Sequence, residues 1–578
     1  MTSTVQSAVA LTVVALLPVV APCVAAPAGA TPPGTVSAAG GETPVLVAVD
    51  CDPVSAVGTT WQETMQERGA VLHVGRDVLI ARIDPAVLRE LRAAAAVAVV
   101  LDRNAGAEST YLGVEILDAR GRAQAARLGS VLFERDRFLV VRRADTIPDD
   151  FRLEGIEAVV PLRPLPPRSA VVPAPAPAPP AGARRDVIAD IVAAVSDVDY
   201  QEVIADLEGF VSRNARGTGY WNAANYAHDR FEFYGVPAEI EEFEADPWWG
   251  DPFTCWNVVA EKTGLLHPEQ IYVICGHLDA TAGNPSIPES VAPGADDNGS
   301  GSASVLEAAR ILSAYDFDAT VRFICFGAEE QGLCGSAVYA TAAAAAGDQI
   351  LGVLNLDMLL YGPPGHDTMR IRYNSPSQPL AQAFQTAAAT HVPALDVFLD
   401  YAPGSMGSDH YSFWQHGYAA LEGIEEYLSG NPYYHQTSDR LANYMAYFPF
   451  GANCFRGALA TLATLAGPNV AAGIEGPVAG GAAAPAAGLE IATVAPHPVF
   501  ERARLTLHTV LAAPHVLALY DVTGRERWRT SLGVGGGTGQ QPRTLEVELG
   551  LPELPEGVYL LRATDGRQTA TRKLVIAR

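Results

Sequence analysis

Four short runs, "IYVICG" (271–276), "VRFICFG" (321–327), "LGVLNLD" (351–357) and "YAALEGI" (418–424), are apolar at nearly every position instead of at alternate ones. A strand solvated on one face alternates, whereas a strand buried on both faces does not, and strands of the second kind belong to sheets with helices packed on each side. The stretches between the runs have helical patterning. Residues 187–466 are therefore expected to form an α/β domain of three αβα layers around a mostly parallel mixed sheet. In such sheets sites form beyond the carboxyl ends of the strands. Polar residues collect at those ends here: His277 and Asp279 after the first run, Glu329 and Glu330 after the second, Asp357 closing the third.

A chain of 578 residues exceeds one hydrophobic core, which stops growing at roughly 250–300 residues. Two linkers divide it: "VVPAPAPAPPAGARR" (171–185), stiffened by alternating proline, and "GPNVAAGIEGPVAGGAAAPAAG" (467–488), looser through glycine and alanine. The part before the first linker, 44–167, contains two stretches of similar pattern, "GAVLHVGRDVLIARIDPAVLREL" from Gly69 and "GSVLFERDRFLVVRRADTIPDDF" from Gly129. Short strands, a turn and a helix start recur in each, which predicts a duplicated small α+β unit. The part after the second linker, 489–578, has short alternating strands such as "RLTLHTV", "HVLALYDV" and "GVYLLRATD", the spacing of an all-β sandwich.

Residues 1–30 hold an uncharged apolar run from Ala8 to about Val20, followed by small residues ending Ala28-Gly29-Ala30. They read as a signal peptide for bacterial-type export to a secreted or cell-surface location. Pro18 and Pro22 argue against a spanning helix, which needs ~20 unbroken apolar residues. Six cysteines follow the leader, and Cys275 and Cys325 lie inside apolar runs, where a buried thiol is expected; no bridge is assigned. The balance of 39 Lys+Arg against 65 Asp+Glu gives a net charge of −26. That sign repels phosphate backbones and excludes nucleic acid as a partner.

The polar residues at the strand ends, with Asp296 and Asp297 in the loop after the first run and His435 in "NPYYHQTSD", make a set of imidazoles and carboxylates without thiolate. Such a set suits a borderline or hard divalent ion, zinc being the usual occupant of mixed His/carboxylate sites. If two ions sit together, a carboxylate can reach both with its two oxygens, whereas an imidazole cannot. One aspartate should bridge. Two Zn²⁺ ions would be neutralised by three carboxylates and a bridging hydroxide, leaving a fourth acid for proton transfer.

"GHLDAT", "APGADDNGSG", "GAEEQGLCGS", "LNLDM", "GSDHYSFWQHGY" and "NPYYHQTSD" together resemble the co-catalytic di-zinc aminopeptidases of the bacterial leucyl aminopeptidase type, within the wider group that includes glutamate carboxypeptidases. The resemblance covers most of 200–466. It implies two Zn²⁺ per catalytic domain, one held by His277, Asp297 and Asp357, the other by Asp297, Glu330 and His435. Asp297 would bridge, Glu329 would be general base and acid, and Asp279 would orient His277. The implied activity is hydrolysis of N-terminal residues from peptides with a free N-terminus. Met358, Tyr411, Phe413 and Tyr427 are read as apolar walls for substrate.

"YAPGSMGSDH" (401–410) departs from the close bacterial relatives, which carry a cysteine pair and a tyrosine just before their "SDH". Alternatives on the same fold are a single-zinc glutaminyl cyclase and a carboxypeptidase; a catalytically dead surface binding protein is the non-enzyme alternative. The C-terminal region, with "LYDVTGR" and "GVYLLR", looks like the immunoglobulin-like sorting domains of exported bacterial proteins and implies a contact with secretion machinery. The N-terminal region is read as a prodomain that assists folding or blocks the cleft until the linker is cut near Arg184-Arg185. His73 is expected to be structural or exposed, and His410 and His416 to be packing or hydrogen-bonded residues. The sequence does not specify an oligomeric state.

Overall fold

The computed structural model describes residues 43–51, 55–94, 96–106, 110–148, 150–166 and 187–468, and beyond them the strands of the C-terminal region. The export segment and nearly all of both linkers lie outside the described residues.

The N-terminal part consists of two four-stranded antiparallel sheets. The first contains β1 (Val45–Asp50), β2 (Gly69–Val74), β3 (Val78–Ile83) and β4 (Val97–Asp102), with α1 (Ala56–Glu67) and α2 (Pro85–Ala93) between them. The second contains β5 (Tyr111–Ile116), β6 (Gly129–Arg135), β7 (Phe138–Arg143) and β8 (Ile156–Pro161), with α3 (Ala119–Leu128). Their strand orders, β2-β3-β1-β4 and β6-β7-β5-β8, are the same pattern, and no helix corresponding to α2 precedes β8 among the described residues. Each helix starts where a short polar side chain takes up a free backbone N–H. Ser55 accepts from Gly58, Asp84 from Ala86, and Asp118 from Arg120 and Gly121, at 2.7–3.1 Å.

The central part begins with α4 (Val187–Ala193), α5 (Asp197–Glu208), α6 (Thr218–Phe233), β9 (Ala238–Ala245), β10 (Phe253–Lys262), β11 (His267–His277) and α7 (Gly299–Leu312). It continues with β12 (Ala319–Phe326), α8 (Cys334–Ala346), β13 (Gln349–Leu356), β14 (Thr368–Tyr373) and α9 (Gln378–His391). It ends with β15 (Asp396–Tyr401), α10 (His410–Gln415), β16 (Ala420–Glu425) and α11 (Phe448–Ala466). Eight strands form one mixed sheet in the order β15-β14-β16-β13-β11-β12-β10-β9. The four doubly apolar runs fall in β11, β12, β13 and β16, which are parallel neighbours in the middle of the sheet.

Each of these strands feeds two cores, as strands covered on both faces must. Along β11, Tyr272 and Ile274 pack with α5, α6, α7, α9 and α11, while Ile271, Val273 and Cys275 pack on the other face with Tyr339 and Ala340 of α8 and Phe413 of α10. Cys275 and Cys325 are buried thiols. The C-terminal strands β17 (Glu490–Ala495), β18 (Arg502–Thr509) and β21 (Arg543–Gly550) form one antiparallel sheet. A second contains β19 (His515–Asp521), β20 (Glu526–Leu532), β22 (Gly557–Thr564) and β23 (Thr569–Ile576). No helix among the described residues is long and apolar enough to cross a membrane.

The start of α7 is wedged between the carboxyl ends of β11 and β13, and this fixes the loop that carries Asp297. Asn298 caps the helix at Gly301 N and donates from Nδ2 to Leu356 O at 2.8 Å. A Cβ on Gly301 would lie 2.2 Å from that same carbonyl oxygen and 2.3 Å from Asn298 Oδ1. Gly301→Ala must therefore push α7 off the sheet. Overpacking of this kind costs typically 1–3 kcal/mol, so the variant should show a loss of about that size in urea unfolding, with activity lost as well.

Candidate metal centre

Residues far apart in the chain meet beyond the carboxyl ends of the parallel strands. His277 ends β11, Glu329 and Glu330 follow β12, Asp357 follows β13, Asp297 precedes α7, and His435 comes from the loop between β16 and α11. Donor atoms of His277, Asp297 and Asp357 lie within 4.8 Å of one another; so do those of Asp297, Glu330 and His435, and of His277, Glu329 and Glu330. Asp297 belongs to two of these groups through different oxygens. Its Oδ1 is 3.3 Å from His277 Nε2 and its Oδ2 is 3.2 Å from His435 Nε2. Asp357 Oδ1 closes the first group at 3.3 Å from His277 Nε2, and Glu330 Oε2 closes the second at 3.2 Å from His435 Nε2. Glu329 Oε2 stands further back, 4.0 Å from His277 Nε2.

The cluster is buried and rich in acids, and its proton affinities show the strain of that arrangement. Burial alone would lower His277, but the carboxylates of Asp357 and Glu329 outweigh it and hold the imidazole well above its ordinary value. His435 is treated the same way and rises to about 10, with Glu330 and Asp297 as the causes that prevail over burial. Burial pushes Glu329 well above the usual carboxylate range and Glu330 to about 7. Asp297 goes the other way: burial would raise it, but the two imidazoles hold it below that range. Protons on the histidines here do what a divalent cation would do better. Glu330 Oε1 is buried without a hydrogen-bond partner among the described residues. The donor set fits zinc.

Several bracing residues were not singled out from the sequence. Asp439 accepts from the backbone N–H of Asp296 and of Asp297, at 2.9 and 3.0 Å, and so sets the bridging residue. Arg213, fully buried, donates to the carbonyls of Leu278, Leu207, Pro293 and Gly294 and ties the end of β11 to the loop before Asp297. Asp439 lies inside "NPYYHQTSD", so the motif contained it; Arg213 had no local signal. His435 and Met358 have φ of 53° and 52°, left-handed values that non-glycine residues adopt at a cost and that collect at functional sites.

The Asp279 carboxylate stands at ion-pair distance from His277 and makes its hydrogen bonds elsewhere. Oδ1 is 3.7 Å from His277 Nδ1, beyond hydrogen-bond range, while the Asp279 carbonyl oxygen is at 3.2 Å. The carboxylate instead accepts from the N–H of Glu329 at 3.1 Å and of Glu330 at 3.3 Å, and so braces the glutamate loop. Asp296 is likewise turned away from the cluster, accepting from Leu360 N and Asn431 Nδ2.

Of the four residues read as substrate walls, Met358 lines the cavity with the acids and imidazoles, beside Ile424 and Leu428. Tyr411 and Phe413 do not. α10 turns Phe413 into the core with Phe326 and Tyr339, and Tyr411 into the contact with the N-terminal part, where its hydroxyl is 3.0 Å from His73 Nδ1. Tyr427 stacks on His366 with centroids 4.0 Å apart and is not part of the cavity lining. His73 is buried against Phe138, and burial lowers it to about 3. His416 is hydrogen-bonded to Ser412 O at 2.9 Å, and His410 packs edge-on to Trp414.

Residues 257–448 match the model of Peptidase family M28. A probable zinc metalloprotease of Pyrenophora teres f. teres is 30% identical over 255 residues, covering 37% of this chain and 52% of that protein. A probable aminopeptidase of Saccharomyces cerevisiae is 27% identical over 279 residues, 46% of this chain and 72% of its own. Aminopeptidase YwaD of Bacillus subtilis is 44% identical over 88 residues, 15% of this chain and 17% of that protein. The chain spans about half the length of the curated relatives it matches first. Among solved structures, the LapA aminopeptidase of Legionella pneumophila aligns with a TM-score of 0.45 at 20% identity, over 62% of this chain and 98% of that one. By its sequence over 257–448, the central part of this chain is thus similar to the M28 peptidases, a zinc aminopeptidase-type family.

Proposed function

We propose that the central domain is a zinc-dependent exopeptidase that hydrolyses N-terminal residues from peptides with a free amino terminus. The observation that carries this reading is the Asp297 carboxylate, with one oxygen directed at each imidazole. His277, Asp297 and Asp357 would hold one Zn²⁺, and Asp297, Glu330 and His435 the other. Bound zinc polarises a scissile carbonyl and brings the pKa of water down to about 7. Glu329 belongs to neither group that contains Asp297, so its carboxylate is free to take the proton of the attacking water and pass it to the departing amine. Asp279 keeps that carboxylate in place through the backbone of its loop. Met358, Ile424 and Leu428 supply an apolar wall beside it. We further read the protein as exported to a secreted or cell-surface location, with its C-terminal domain engaging secretion machinery; residues 1–30 and the C-terminal sequence pattern support this.

Elemental analysis of the purified full chain should find two zinc ions per molecule; one ion would instead favour the ring-closing cyclase alternative. Glu329→Gln should keep both ions and lose roughly 10²- to 10⁴-fold in kcat on an aminoacyl chromogenic substrate. Near-normal kcat in that variant would assign the base elsewhere. Asp297→Ala should lose zinc as well as turnover. Peptides blocked at the amino end should resist hydrolysis, while those blocked at the carboxyl end should be cut.

A further inference from the structure

The N-terminal part does not sit apart from the metal centre; it lies across the strand ends where a substrate must enter. Four loops rim the cluster, and each is in contact with it. Leu153 N donates to Gly283 O at 2.9 Å beside Asp279. A Cβ on Gly332, after the glutamate pair, would lie 3.0 Å from Pro161 Cδ. Met406 N donates to Glu115 Oε2 at 2.9 Å, and Tyr434 Oη to Glu157 O at 3.0 Å, next to His435.

Two N-terminal side chains reach the substrate side itself. Leu117 packs on the apolar group of Met358, Ile424 and Leu428, and Glu157 lines the same cavity as His277, Asp297 and His435. The space left is about 280 Å³ even counting what is open to solvent, at the bottom of the roughly 300–1,000 Å³ range usual for ligand pockets. Glu157 is held there by Arg372 of β14 and by Arg137 in the turn between β6 and β7, and Glu422 of β16 meets the same Arg372 nitrogen at 3.2 Å. The side chains of Glu157, Arg372 and Glu422 are 2%, 3% and 0% exposed.

We propose that residues 43–166 are a tethered occluding domain, seated on the metal centre through Leu117 and Glu157, and that peptidase activity is latent until this domain leaves. The ionic contact is built to come apart. Removing one partner of a buried ion pair leaves an uncompensated charge, which is strongly destabilising. Separation of these domains instead leaves a counter-charge on each side, Arg137 for Glu157 and Arg372 for Glu422. Apolar contacts act in the other direction: Met406, Tyr411 and Leu333 share one core cluster with Leu72, Ile80, Tyr111 and Leu162. A cut in the linker alone should therefore leave the domain docked, and release requires its separation or digestion.

The inference rests on the metallopeptidase reading, and its test separates the two. For the test, a unique protease recognition sequence is inserted into the linker of the full chain. The chain is compared intact, cut but docked, and cut with the fragments separated in mild urea and dialysed. Two quantities are measured: kcat/KM on an aminoacyl peptide, and the rate of zinc removal by 1,10-phenanthroline, which requires no turnover. Separation should raise kcat/KM at least tenfold and speed zinc removal, and adding back the released fragment should reverse both. Faster zinc removal without turnover would support occlusion while counting against the peptidase activity. An intact chain equal to the separated one in both quantities would overturn the proposal. Leu117→Asp in the uncut chain, which sets a carboxylate on the apolar wall beside the acids, gives a second arm. It should raise both quantities at least threefold, and no change in either would overturn the proposal even if the separated central domain failed to hold its fold.

Discussion

One carboxylate shared between two imidazoles is the constraint around which the central domain is arranged. Asp297 can meet both His277 and His435 only if the loop before α7 is fixed from behind, and three devices do this. Asp439 holds its backbone N–H, Asn298 ties the helix start to Leu356 O, and Arg213 draws in the carbonyls of Pro293 and Gly294. None of these groups is an electron-pair donor to the cluster. They make the donor positions a property of the sheet and helix, not of flexible side chains, which is what precise ligation demands.

The same geometry concentrates like charge. Asp297, Glu329, Glu330 and Asp357 are all buried within reach of the two histidines. Buried carboxylates without counter-charge take up protons, and the upward shifts of Glu329 and Glu330 express that pressure. A fold that keeps such a group together in the absence of function would lose stability for nothing. Divalent cations resolve the conflict, since each can replace protons on the imidazoles and compensate carboxylates at once. The left-handed backbone at His435 and Met358 is a second local cost retained at the same place.

Much of this was legible in the sequence because it depends on local pattern. Strands buried on both faces reveal themselves as unbroken apolar runs, and a polar residue ending such a run has few reasons to be there other than a site. His277, Glu329, Glu330 and Asp357 are of this kind. What the sequence could not show depends on neighbours brought together by folding. Asp439 is hydrogen-bonded to a residue 142 positions away, and Arg213 to carbonyls on a loop 80 positions on. Tyr411 and Phe413 stand beside the same motif and differ in sequence position by only two, yet the helix directs one to the domain contact and the other to the core. Aromatic character near a motif does not say which way a side chain points. The repeated pattern after Gly69 and Gly129 was visible, but the placement of Leu117 and Glu157 over the metal centre was not, because nothing in either stretch marks its partner surface.

The central claim is that Asp297 is shared by two metal ions, and anomalous diffraction at the zinc edge on crystals of the metallated protein tests it most directly. Two peaks about 3.5–4 Å apart, one on each side of the Asp297 carboxylate and flanked by His277 and His435, are the result this account requires. A single peak, or two that leave Asp297 without a bond to either, would contradict it.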